Sequence, residues 1–100
     1  MKNWPRTFPV LEANDFCHGR YENEDGQRCL VGQLRYWLWG STREIHADGR
    51  YRKAMGELRY ITGWLDICES ITVWNDTVSP ARVARVWNEL GERLGYTEWA

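Results

Sequence analysis

Apolar positions recur at helical spacing in three stretches of this chain and lose that spacing between them. In residues 29–40, CLVGQLRYWLWG, Leu30, Val31, Leu34, Trp37 and Leu38 share one face at about 100° per residue. Cys29, Gly32, Tyr36 and Trp39 gather opposite, so the segment is apolar nearly all round and reads as a central helix packed on both flanks. Gly32 in its middle costs about 1 kcal/mol against alanine, and close approach of another helix is the expected compensation. Gly40 closes it. A second stripe, Tyr51, Ala54, Met55, Leu58, Thr62 and Leu65, predicts a helix from about Arg50, with Arg52, Lys53, Glu57 and Tyr60 facing away. Gly63 either breaks this helix or is tolerated within it, and residues 64–71, WLDICESI, continue it or form a short additional helix. Before it, STREIHADG is a loop or a single helical turn.

The last stretch is the clearest. Ser79 is a good N-cap, Pro80 takes the first helical position, and Val83, Val86, Trp87, Leu90 and Leu94 form the stripe to be buried. Arg85 with Glu89 and Glu89 with Arg93 are i, i+4 neighbours. Gly95 stops the helix, after which Tyr96 can fold back. At the other end, Thr7 is a candidate cap with Pro9 just inside, which predicts a first helix carrying Val10, Leu11 and Ala13 that fades near Phe16 or Cys17 and ends at Gly19. Residues 20–28, RYENEDGQR, form a polar connection with a turn at Asp25-Gly26, without the clean alternation of a hairpin. The expected fold is all-α: a compact bundle of about four to five short helices with a small hairpin or loop at residues 20–28, in one domain spanning 1–100.

Composition narrows the function classes. A net charge of −1 and a pI near 6.1 leave no global basic footprint for nucleic acid. No apolar run approaches the roughly 20 residues that cross a bilayer, and the opening residues lack the apolar centre of a signal peptide, so the cytosol is the expected compartment. Three cysteines, Cys17, Cys29 and Cys68, suit reduced surroundings. Cys17-His18 with Cys29 does not make a metal spacing, and Cys17 beside His18 is a sequence neighbourhood and not a catalytic pair. Neither cofactor nor metal is expected. Seven tryptophans are more than a core this size readily hides, which predicts exposed aromatic anchors and a binding surface.

Trp74-Asn75-Asp76 is the remaining oddity. As a catalytic unit it has no visible nucleophile, base or second carboxylate. As a structural joint it buries Trp74, while Asn75 and Asp76 accept N–H groups of the turn leading into Ser79. The joint reading is favoured, and an enzyme is not expected.

Phe16-Cys17-His18-Gly19, then Cys29-Leu30-Val31-Gly32-Gln33-Leu34, then Trp74-Asn75-Asp76 with Val83 resembles a family of small bacterial and phage proteins patterned W-C-x-G … C-x-x-G-x-L … W-N-D … V. The resemblance spans most of residues 8–94, departs at Phe16 (tryptophan in the family) and Gln33 (alanine), and implies no assigned chemistry. By its size, general look and opening residues, MKNWPRTFPVLEANDF, the chain also resembles the small helical anti-CRISPR proteins directed against type I-F systems. That resemblance implies a non-enzymatic, phage- or prophage-encoded inhibitor that sits on the RNA-guided surveillance complex and blocks target DNA entry or unwinding. Members often present carboxylates to lysines and arginines that otherwise hold phosphate. Here Tyr21 with Glu22, Glu24 and Asp25 is the candidate partner-binding patch, and Asp66, Glu69 and Asp76 are a second; the bland alternative is solvated acidic loops. The chain is expected to act as a monomer, without specific DNA binding or membrane contact of its own. The competing reading is a small helix-turn-helix regulator using Arg43, Arg50, Arg52, Lys53 and Arg59, with Arg82 and Arg85 on a recognition helix. For that reading, the sequence before Ser79 supplies no first helix.

Overall fold

Capping decides where the helices of this chain begin and end. The computed structural model describes residues 3–43, 48–63 and 68–96, with the backbone alone for 68–70. Among these residues the fold is all-α, with α1 (Leu30–Trp39), α2 (Gly49–Thr62), α3 (Cys68–Thr77) and α4 (Pro80–Arg93), and a 3-10 turn at Ala13–Asp15 before them. The Cys29 sulfur accepts the Gly32 N–H at the head of α1, and Gly40 ends that helix in the left-handed region at φ 71°. Asp48 caps α2 by accepting the Arg50 N–H, and Gly63 stops it at φ 79°. Gly63 is therefore a helix break. Ser79 caps α4 through the Arg82 N–H, with Pro80 at the first turn as expected.

Of the residues 64–71, the last four open α3, a separate helix. Trp64, Leu65 and Asp66 lie outside the described residues, as do residues 44–47 and Trp99. A helix thus does precede Ser79, contrary to the sequence reading, because Asn75 and Asp76 spend their side chains on distant partners and leave the local helix bonds intact. The connector to α4 is Val78-Ser79, shorter than the three- or four-residue turn of a helix-turn-helix.

Helix α2 touches α1, α3 and α4, so it sits at the centre of the bundle. Trp87, Leu30, Leu34, Met55, Leu58, Ile71, Leu90 and Val83 are fully buried, and every predicted apolar position of α4 is inside. Arg93 does not carry out the expected pairing with Glu89. Its Nε lies 2.6 Å from Glu57 and its guanidinium stacks over Tyr60, bolting α4 to α2. Helix α1 is packed on both flanks, but one flank is the loop of residues 16–28 and not a helix. A Cβ on Gly32 would lie 2.2 Å from the Tyr21 carbonyl oxygen, so the glycine compensates by admitting that loop.

The predicted first helix does not form. Residues 3–12 make an arm that lies across α1, α2 and α4, and the only helical piece is the 3-10 turn that follows. Pro5 and Pro9 explain this, since each pushes the residue before it, Trp4 and Phe8, out of the helical region. Every second carbonyl of the arm accepts a side-chain donor. Asn3 receives Arg50 at 2.7 Å, Thr7 receives the Trp37 indole at 2.7 Å, and Pro9 receives the Trp87 indole at 2.8 Å. Leu11 receives the Asn88 amide at 3.2 Å, and the Tyr96 hydroxyl, folded back past Gly95 as expected, donates to Pro5. Residues 7–12 carry no turn or bend, and a period of two belongs to an extended chain, while Asn3 turns the chain at φ 71°.

Candidate protein-binding surface

The loop of residues 16–28 is held from both ends before it can present anything. Cys17 N–H donates to the Arg28 carbonyl and Arg28 N–H to that of Asp15, while Cys29 N–H donates to Tyr21. Asn23 closes the tip: its side-chain oxygen accepts the N–H of Asp25 at 3.1 Å and of Gln27 at 2.9 Å, and Gly26 turns the chain at φ 79°. Gln27 reaches back to the Asn14 carbonyl at 2.7 Å.

Trp74-Asn75-Asp76 anchors this loop to α3. Trp74 is buried. Asn75, 1% exposed, accepts the Leu30 N–H at 2.9 Å and donates to the Cys17 carbonyl at 3.1 Å. Asp76 accepts the Gly19 N–H at 2.9 Å. The triplet is a joint, but it serves α1 and the Cys17-His18-Gly19 segment and not the turn into Ser79. Both thiols belong to it structurally. The Cys17 thiol donates to the carbonyls of Arg20 and Gln27, and burial pushes its pKa up; burial also pushes up that of Cys29. Protonated thiols are poor nucleophiles. Among the described residues no group of His, Cys, Asp or Glu is arranged to hold a metal ion.

The two departures from the resembled pattern sit in the same joint. Phe16 is buried as a large aromatic would be, and the Gln33 amide donates to the Asp15 carbonyl at 3.0 Å, tying the 3-10 turn to α1.

The held loop exposes Tyr21 and α1 exposes Tyr36, each ring backed by an arginine. The Arg35 guanidinium lies 4.5 Å from the Tyr21 ring centre, and that of Arg28 lies 3.6 Å over Tyr36. Arg28 also pairs with Glu22 at 3.1 Å, which links the Tyr36 stack to the loop. Tyr21 and Tyr36 remain 43% and 46% exposed, so each keeps much of its ring for a partner. Comparison with family models, curated proteins and solved structures finds no match to this chain. The surface must be read from its own chemistry.

Of the predicted patch, Tyr21, Glu22, Glu24 and Asp25 stand together on the exposed loop. Glu22 is committed to Arg28, whereas Glu24 and Asp25 make no ion pair among the described residues. Asp76 is brought beside this loop by Gly19 and does not form a patch of its own there. Asp66 lies outside the described residues, and so does the side chain of Glu69. Sequence reasoning missed Tyr36, although its place one turn after Gly32 marks it as the residue that emerges beside whatever packs on that glycine. Among the described residues the tryptophans are not the exposed anchors expected. Trp74 and Trp87 are buried, and Trp4, Trp37 and Trp39 are partly buried, because indole N–H groups are used inside the molecule: Trp39 donates to Asp48 at 2.6 Å, and Trp37 and Trp87 hold the arm.

Proposed function

We propose that this protein is a non-enzymatic binding protein whose Tyr21–Tyr36 face and acidic turn occupy a cationic groove that otherwise holds nucleic-acid phosphate. The observation that carries this reading is the arginine backing of two half-exposed tyrosines. Rings held in place beforehand lose little side-chain freedom on binding, and aromatic anchors supply most of the energy of an interface. Glu24 and Asp25 at the rim supply electrostatic steering toward lysines and arginines. The partner indicated by the sequence resemblance is the type I-F CRISPR surveillance complex, with this chain as an anti-CRISPR of phage or prophage origin that blocks target DNA binding or unwinding. Mixing the purified complex with this protein tests it directly. A stoichiometric assembly that no longer retains target DNA supports the reading; an unaltered complex that binds DNA normally overturns it.

A helix-turn-helix regulator is the second reading, favoured by the presence of α3 directly before Ser79. Against it, α4 buries Val83, Ala84, Val86, Trp87 and Leu90, and Arg50 of the basic stretch is spent on Asp48 and Asn3. Tight, salt-sensitive binding to one duplex sequence would favour the regulator.

A further inference from the structure

The arm of residues 3–12 is held as a ligand is held. Five alternate carbonyls, from Asn3 to Leu11, meet donors projecting from α1, α2, α4 and Tyr96. Carbonyls are common to any sequence, so these contacts define an extended chain rather than particular side chains. Selectivity comes from Phe8. Its ring stacks on Trp87 at 4.4 Å and 23°, meets Trp37 edge-on at 4.8 Å, and lies 5.5 Å from Tyr96. Gly91 makes the floor of this pocket, because a Cβ there would come within 2.5 Å of the Phe8 ring. Arg6, Thr7, Pro9 and Val10 point outward and are exposed.

We propose that this groove is a recognition site for an extended Phe-Pro segment, filled by the chain's own arm, and that the arm of a second copy can take its place to give an arm-exchanged dimer. The occupant is fixed by complementarity: the second copy carries the one sequence already fitted to these donors and to the Gly91 pocket. Among the described residues, arm and bundle are joined covalently by the chain through Glu12 and the 3-10 turn. That tether raises the effective concentration of the arm to roughly millimolar, so the closed monomer dominates in dilute solution and exchange needs a mismatch between arm and groove in each chain.

Two full-length variants create that mismatch. Phe8→Ala keeps the groove and loses the anchor, and Gly91→Leu keeps the arm and fills the pocket. Each alone should sediment as a monomer. Mixed in equal amounts at about 0.2 mM, they should form a heterodimer in which the arm of one fills the groove of the other, since that concentration approaches the tethered value within an order of magnitude. The Phe8→Ala chain should melt at a higher temperature in the mixture than alone. A mixture that sediments and melts as the sum of its parts overturns the proposal. Should circular dichroism show either variant unfolded, Phe8→Leu replaces Phe8→Ala and a labelled peptide of residues 3–12 replaces the second chain. Binding of that peptide, weakened at least about tenfold by alanine at its phenylalanine, supports the site. No binding, or binding indifferent to the phenylalanine, overturns it. A peptide that binds while no two full chains associate overturns exchange between copies.

Discussion

Asn75 accepts the backbone N–H of Leu30 through its side-chain oxygen, at 2.9 Å and across 45 positions of sequence. The same amide donates to the Cys17 carbonyl, so one buried side chain satisfies the first turn of α1 and the loop that covers it. Asn75→Leu removes both bonds and leaves a buried donor and acceptor without partners. A loss of about 2–4 kcal/mol is expected, from one unsatisfied group on each side. Urea unfolding measures it; a loss below about 1 kcal/mol would place the joint elsewhere.

Trp74 and Asp76 flank that amide and differ in consequence. Trp74→Ala empties a buried indole site and should cost about 3–5 kcal/mol. Asp76→Asn keeps an oxygen for the Gly19 N–H and should leave the fold intact, within about 1 kcal/mol of the parent. Thermal melting of the two variants side by side separates packing from polarity.

Gly32→Ala sets helix propensity against packing. Propensity alone favours alanine by about 1 kcal/mol. The new methyl would press on the Tyr21 backbone carbonyl, which cannot yield as a side-chain tip can. Packing should win, with a net loss of about 1–3 kcal/mol and faster amide hydrogen exchange across residues 20–28. A stabilised Gly32→Ala protein would contradict the loop's position.

The N-cap of α2 gives the chain a pH-dependent element. Hydrogen bonds from Arg50, then from the Trp39 indole, hold the Asp48 carboxyl below its ordinary range. A carboxylate with a depressed folded pKa stabilises fully above its unfolded value near 4, and the contribution is lost as pH falls through the folded value. Asp48→Asn can still cap but cannot pair, so it should cost about 1 kcal/mol at pH 7 and lose less stability than the parent on acidification below pH 4. Parallel acid titrations followed by fluorescence would show it.

Helices α1, α2 and α4 were legible from their apolar stripes, with Gly40 as the stop of α1 and Ser79 and Gly95 bracketing α4. The Cys29 and Asp48 caps and the break at Gly63 show only in the structure, because nothing local separates a stop from a tolerated glycine. The arm was not legible, because Thr7 and Pro9 imitate a helix start, and the donors that hold it come from residues 30 to 91 positions away. Asn75 and Asp76 likewise look like turn formers until their distant partners are known. For the surface, Tyr21, Glu22, Glu24 and Asp25 could be read from an acidic loop with one aromatic. Tyr36 could not, since its role depends on which element packs at Gly32.

Affinity for the type I-F surveillance complex tests most directly whether Tyr21, Tyr36 and the acidic turn make one binding surface, as proposed. Glu22 is a poor probe, because reversing it would set a lysine against Arg28 and disturb the loop. Glu24→Lys with Asp25→Lys leaves the loop's own bonds in place, and Tyr36→Ala removes an anchor from α1. Binding of the parent and both variants should be titrated alongside their melting curves. Each variant is expected to bind at least about tenfold more weakly, a loss of about 1.4 kcal/mol, while stability moves by under about 0.5 kcal/mol for the charge reversals. Undiminished binding by both variants, with folds intact, would contradict the account.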